Sequence, residues 1–365
     1  MKINKKELLN AVKICSTVKN DSSHLPIWDS MLFQCLYGDV TITSRDQRNI
    51  LSHRFKAEDE STIEPFLFNG STMTKILKEC SDDLINITNV DHRLTISFDV
   101  SSFDFKVDIL TAMDYINSLP LYGEEKAAMA IPVYFIKDHP KAWSNFASTD
   151  ELRQVMQFIS IEAVEDEMNL VATNAHLLFN FKSEWHGEPQ SYLLPSKLVG
   201  KLCKLMPKED IHLRQFEKWS EMRIGTTSLL FYYPDGRYPN WKAVIEEKPN
   251  KVTFDAKELK SAIRQIHSVS NTSTHQIILD ADDHRTILQC HDLDDGNDAK
   301  VKLRKAVKEG EEVTIGFNSV LLLQCLDALT GSEITMAYST PNRSVIFRGN
   351  GNKDTLALLM PVMVN

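Results

Sequence analysis

No stretch of this 365-residue chain approaches the ~18 consecutive apolar residues that a membrane-spanning helix requires, so no such span is expected. The opening Met1-Lys2-Ile3-Asn4-Lys5-Lys6 runs into Glu7 with neither an apolar stretch nor a small-residue cleavage site, which argues against a secretory signal. Six cysteines (Cys15, Cys35, Cys80, Cys203, Cys290, Cys325) are scattered without a Cys-x-x-Cys pair, so reduced, buried thiols in a cytoplasmic protein are expected. The usual marks of nucleotide and acyl-transfer chemistry are missing as well: no G-x-S-x-G elbow, no P-loop and no G-x-G-x-x-G. Cys290-His291 stands beside Asp292, Asp294 and Asp295. It lacks a second Cys/His pair, and Gly296 is out of register for a calcium loop. Neither catalysis nor a metal or other cofactor is expected.

Ordinary composition, 42% hydrophobic and 25% charged, excludes a disordered or collagenous chain. What is present is repetition. Amphipathic helical patterns occupy residues 3–18, 132–147 and 254–268, and a second set occupies 69–81, 195–206 and 318–329. Intervals near 120 residues are too long for solenoid repeats, so each copy should be a domain with its own core. Between the helices, alternating runs such as Met31-Phe33-Cys35, Val40-Ile42-Ser44, Leu94-Ile96-Phe98 and Phe103-Phe105-Val107 read as strands. Later runs at 158–163, 169–172, 177–181, 277–279, 286–288, 301–303 and 344–347 read likewise. The expectation is an α+β chain of three repeated domains, each with two helices packed on antiparallel sheets: 1–122, 128–246 and 250–365.

Formal net charge is −9, which at first argues against a nucleic-acid partner. Distribution matters more than the sum. Lys197, Lys201 and Lys204 fall at i, i+4 and i+7, opposite Val199, Leu202 and Met206. Lys257, Lys260 and Arg264 repeat the arrangement, and Lys5, Lys6, Lys13, Lys75 and Lys78 lie on the helices of the first copy. Acidic residues concentrate elsewhere, as at 162–167 and 292–298. A solvated face explains one lysine stripe on its own. Recurrence on equivalent helices points to a common basic surface, although 318–329 carries no basic residue.

Three segments carry a family resemblance: Leu170-Val171-Ala172-Thr173-Asn174-Ala175-His176, Asp235-Gly236-Arg237-Tyr238-Pro239-Asn240-Trp241, and the terminal Leu358-Leu359-Met360-Pro361-Val362. In this order, on a threefold repeat of this length, the whole chain resembles the bacterial β sliding clamps, the processivity subunits of DNA polymerase III. The resemblance implies a head-to-tail homodimeric ring of six similar domains, with helices lining a hole for double-stranded DNA. The expected partners are the polymerase alpha subunit, a clamp loader that uses ATP and other clamp-motif proteins, with no membrane and no cofactor. Lys197 matches a DNA-contacting lysine of that family, whereas Lys201, Lys204, Lys257, Lys260 and Arg264 are assigned from helical spacing alone. No counterpart of the family's first-domain basic residue is evident in 20–24. Residues 103–107 and the segment near Val269 are the expected dimer faces.

The resemblance also implies a groove for extended peptides with leucine and aromatic anchors. It would be formed by Met156, Thr173, Ala175, His176, Leu177, Leu178, Pro239, Val244, Ser344, Met360, Pro361, Val362 and Met363. Two buried anchors supply roughly 3–6 kcal/mol. Micromolar binding needs ~8 kcal/mol, so backbone hydrogen bonds must add the rest. Ala175 replaces a usual glycine and Leu177 a usual arginine, while Ala243 and Met363 replace basic residues, so a more apolar groove is expected. Two other readings stand beside this one: a DNA-encircling scaffold for partners other than a polymerase, and a repeat protein for protein interactions only.

Overall fold

The computed structural model describes residues 1–18, 26–90, 93–98, 101–106, 109–202, 204–205, 209–292, 294 and 296–364, and the repetition is visible in its element order. The first third runs β1 (Lys2–Asn4), α1 (Lys5–Cys15), β2 (Met31–Leu36), β3 (Asp39–Arg45), β4 (Asn49–Lys56), β5 (Ile63–Phe68), α2 (Gly70–Glu79), β6 (Leu84–Val90), β7 (Arg93–Phe98) and β8 (Ser101–Lys106), then α3 (Ile109–Asn117). The second runs β9 (Ala127–Ile131), α4 (Tyr134–Lys137), α5 (Pro140–Phe146), β10 (Phe158–Val164), β11 (Glu167–Thr173), β12 (Leu177–Glu184), β13 (Gln190–Pro195), α6 (Ser196–Leu202), β14 (Ile211–Gln215), β15 (Trp219–Ile224) and β16 (Thr227–Tyr232). The last runs β17 (Asn250–Asp255), α7 (Ala256–His267), β18 (Gln276–Ala281), β19 (Thr286–Asp292), β20 (Asn297–Leu303), β21 (Val307–Glu309), β22 (Val313–Asn318), α8 (Ser319–Asp327), β23 (Glu333–Tyr338), β24 (Val345–Gly349) and β25 (Thr355–Leu359). The α+β class is as expected. Among the described residues, no helix is long and apolar enough to cross a membrane.

Two compact units make up the chain: residues 1–137 with 201–233, and residues 138–200 with 234–365. The first unit holds a four-stranded sheet, β1-β6-β7-β8, and an eight-stranded one, β5-β2-β3-β4-β16-β15-β14-β9. The second holds a nine-stranded sheet, β13-β10-β11-β12-β25-β24-β23-β17-β21, and a four-stranded one, β20-β19-β18-β22. Each long sheet is two half-sheets joined edge to edge. At one join β4 meets β16 antiparallel, with Leu51 opposite Leu229. At the other β12 meets β25, with Leu178 opposite Leu358. In both, the third strand after one leading helix meets the last strand of the following third. Strands β20 and β8 hold those same two positions, and among the described residues neither has such a partner.

Helix starts are set by side-chain caps. Asn4 accepts from Lys6 N at 2.9 Å, Asn69 from Thr72 N at 2.9 Å, Asp255 from Glu258 N at 2.9 Å, and Asn318 from Val320 N at 3.0 Å. The caps correct two expected boundaries. Ile3 and Phe254 do not open helices but lie buried in β1 and β17, just before the cap. The helix expected over 132–147 is two short ones. Pro140 drives the residue before it out of helical geometry (His139 φ −126°, ψ 42°) and then opens α5 as its first residue. The helix expected over 195–206 stops at Leu202.

Helix α3 was not anticipated. Its Ala112 and Tyr115 bury against Leu32 of β2, beside Trp28 and Leu67. In the first unit, Leu8, Val12 and Cys15 of α1 and Met73 and Leu77 of α2 pack with Phe33, Phe66 and Ile96 into one core, in which Phe33 and Phe66 stack at 4.7 Å. In the second, Trp143 of α5 meets Phe179 of β12 edge-on at 5.1 Å. Strand alternation separates Cys290 from His291. The thiol is buried, and the exposed imidazole lies 2.6 Å from Asp298.

Candidate functional site

Four remote segments of the second unit meet at one end of the central strands of its long sheet. Between β11 and β12, Asn174 Oδ1 accepts from His176 N at 3.0 Å and Leu177 N at 2.8 Å, and the Thr173 hydroxyl donates to Leu177 O at 2.7 Å. This turn places Ala175 at φ 77°, a left-handed conformation that accounts for glycine being usual there. Past β25, Met360 N donates to His176 O at 2.9 Å and Val362 bridges to Gly316. Ser344 Oγ donates to Val244 O at 3.3 Å, which ties in the fourth segment.

Beneath these segments Leu178, Val171, Trp241, Ile346, Leu356 and Leu358 form a buried cluster, with Tyr238, Ile245 and Met360 packed on it. Tyr238 is fixed by donating to Val171 O at 3.2 Å. Ala175, His176, Val244 and Met363 are exposed, and Pro239, Met360, Pro361 and Val362 are half-buried. Leu177 is corrected. It is 1% exposed, on the face it shares with Phe179, and so does not make the groove more apolar. Met156 and Thr173 are also buried. Sequence reasoning missed the floor residues Ile346 and Leu358, because β24 and β25 are apolar on both faces and only the strand pairing decides which side chains reach the floor.

Beyond Trp241 and Leu356 the surface turns polar, in a cleft of about 270 Å³ that Glu167, Asn169, Asn180, Lys182, Arg348 and Lys353 help to line. Glu167 pairs with Lys182 and accepts from Asn169 Nδ2 at 2.7 Å, and Asn169 Oδ1 accepts from Asn180 Nδ2 at 3.0 Å. Burial raises the Glu167 pKa. The bonds from Lys182 and Asn169 outweigh this and hold the carboxyl below its ordinary value. Burial draws Arg348 below its ordinary value.

The basic residues divide. Lys197 and Lys201 are exposed on α6, whose Leu198, Val199 and Leu202 are buried. Lys204 is exposed but lies in a turn past the helix end, so the expected i+7 register fails there, and Met206 lies outside the described residues. On α7, Lys257 and Arg264 are exposed, whereas Lys260 pairs with Asp327 of α8 at 3.0 Å. Lys6, Lys13, Lys75 and Lys78 are exposed on α1 and α2, and Lys5 is turned aside to Cys80 O at 2.8 Å. Residues 20–24 and Val107 lie outside the described residues. Phe103 (37% exposed) and Val269 (38%) present apolar surface on β8 and just after α7.

Comparison with known proteins bears on the family and the fold. Residues 1–119 match the family model for the DNA polymerase III beta subunit, N-terminal domain, and residues 243–363 match that for its C-terminal domain. The Beta sliding clamp of Haemophilus influenzae is 21% identical over 366 residues, covering 99% of this chain and 98% of the relative. That of Bacillus subtilis is 22% identical over 375 residues, with the same coverage. Among solved structures, the DNA polymerase III beta subunit of Thermotoga maritima superposes with a TM-score of 0.89 at 18% identity, covering 100% of this chain and 99% of that one. The Pseudomonas aeruginosa sliding clamp bound to griselimycin gives 0.90 at 18%, with the same coverage. At these identities the structural likeness shows the fold.

Proposed function

The chain belongs to the bacterial β sliding clamp family, the DNA polymerase III beta subunits, and given that membership we propose that two copies join head to tail around duplex DNA and tether a polymerase to it. The observation that carries this reading is the pair of half-sheets left over. Within the chain, β4·β16 and β12·β25 repeat one edge-to-edge join. Among the described residues, the edges that hold those two positions without a partner are β20 and β8, and pairing β20 of one copy with β8 of the next extends the same rule. The edges are unlike, so the contact is heterologous and both copies run the same way round. Closure at two copies leaves neither edge free to recruit other chains.

Lys197, Lys201, Lys257 and Arg264, with Lys204 beside them, supply exposed positive charge for the phosphate backbone and read no base. Such contacts exchange readily, so a ring slides while its topology prevents loss. The groove of the second unit receives extended peptide segments of the polymerase alpha subunit, the loader and other partners. Its floor is apolar, as the anchors of such segments require. The chain acts as a processivity subunit without chemistry of its own, and a separate loader supplies ATP hydrolysis. Three repeats per chain fit a dimer better than the trimer of two-repeat clamps.

Sedimentation at micromolar concentration should give a dimer. After loading on nicked circular DNA, the protein should survive a salt wash and be lost when the circle is cut. A monomer, or loss of protein from the intact circle, overturns the proposal. Retention on circles without binding to any polymerase subunit selects the scaffold for other partners.

A further inference from the structure

The polar end of the cleft beside the groove has an orientation that its neighbours impose. The Glu167 carboxylate can only accept, so Asn169 must present its Nδ2 there, at 2.7 Å. Asn169 Oδ1 then faces Asn180, which must present its own Nδ2, at 3.0 Å. Asn180 Oδ1 is what remains. It is buried and has no hydrogen-bond partner among the described residues, on a side chain only 6% exposed that lines the cleft. A buried acceptor left unmade is costly, and this one is held in place by a chain of bonds that ends on a lysine.

The other side of the cleft carries Arg348 and Lys353, for which no ion pair is found among the described residues. These walls select by chemistry. A carboxylate suits the cations but is repelled by Asn180 Oδ1 and by Asp354, which also lines the cleft. An ammonium suits Asn180 and Asp354 but is repelled by Arg348 and Lys353, with Lys242 also in the lining. A primary carboxamide satisfies both, donating through nitrogen and accepting through oxygen. Trp241, Ile245 and Leu356 line this cleft and also belong to the apolar floor of the groove, so one extended segment can occupy both.

We propose that the cleft is a side-chain pocket for an asparagine or glutamine lying outside the apolar core of the bound partner segment, its carboxamide nitrogen donating to Asn180 Oδ1 and its oxygen facing Arg348 and Lys353. This rests on the reading of the adjoining groove as a peptide site. The probes are peptides with a constant Gln-Leu-Ala-Leu-Phe core and three alanines on each side. Each flanking position is replaced in turn by Asn, Gln, Leu or Glu. Affinities are measured for the full-length chain and for the double variant Asn169→Leu/Asn180→Leu, which removes both amides together and leaves Glu167 with Lys182.

At one flanking position, Asn or Gln should bind roughly three- to tenfold tighter than Leu, as one added hydrogen bond allows. The double variant should abolish that gain and still bind the all-alanine peptide like the parent. If it does not fold, Asn180→Ala should abolish the gain in its place. No preference over Leu, an equal gain from Glu, or a gain that survives the substitutions overturns the carboxamide pocket and leaves the groove standing. Failure of the parent chain to bind even the core peptide overturns the groove reading, and the pocket with it.

Discussion

A carboxylate 1% exposed stays ionised only where its partners replace water, and Glu221 of β15 has three that do. Arg214 Nε donates to it at 2.7 Å, Arg223 at 3.2 Å and the Ser228 hydroxyl at 2.6 Å. Burial raises its pKa, but Ser228, Arg214 and Arg223 together bring it below the ordinary carboxylate value. A folded-state value below the unfolded one, about 4.3, means that this stabilisation is complete above that pH. It is lost as pH falls through the folded value. Glu221→Gln should therefore cost about 2–3 kcal/mol in urea unfolding at pH 7, with the difference from the parent shrinking below pH 4. An unchanged midpoint at pH 7 would show the network to be dispensable. Single residues were also where the sequence was least legible. Leu177 and Leu178 are chemically identical, and only the strand register decides which one faces the groove. Asn169 and Asn180 did leave a signal, as two amides set in otherwise apolar strands, but their adjacency depends on pairing eleven residues apart.

At the scale of elements, the helices were legible because amphipathic spacing is local, and their ends were not. Four ends are decided by one oxygen each, at Asn4, Asn69, Asp255 and Asn318. Substituting Asn69→Ala or Asn318→Ala should each cost about 1 kcal/mol, read as a shift in the chemical-denaturation midpoint with an unchanged slope. A loss below a few tenths would mean that β5 and β22 deliver the chain to the helix unaided. Strands with clean alternation, such as β7 and β18, were visible, whereas β14 to β16 and β25 were passed over. β25 is buried at all five positions and so shows no period. The same local logic carried the lysine stripe of α6 too far. The periodic pattern continues to residue 206, but the helix ends at Leu202 and leaves Lys204 in a turn.

For the whole molecule, the recurrence of helices at intervals near 120 residues was readable from spacing, but the joins were not, because β4 and β16 lie far apart in sequence and share no local sign of their pairing. The joins have a testable cost. A fragment of residues 1–122 lacks β16, which exposes the edge of β4 over residues 49–53, with Ile50 and Leu51, in addition to the edge of β8. Two open edges on one small body invite strand addition. Sedimentation velocity on the fragment should show polydisperse association, where the full chain gives one species. A stable monomer would mean that the first third protects its own edges.

A contact between two unlike edges does not specify how many copies will use it. On the proposed pairing, the half-sheet ending in β20 would accept one ending in β8 whether the assembly holds two chains, three, or a file without end. In the proposed ring the number would follow from the angle that each join sets between its two half-sheets, and the two internal joins would bear on it as the external one does. Substitutions at Leu51, Leu229, Leu178 or Leu358, which no other copy need ever touch, could thus turn a closed assembly into a growing helix.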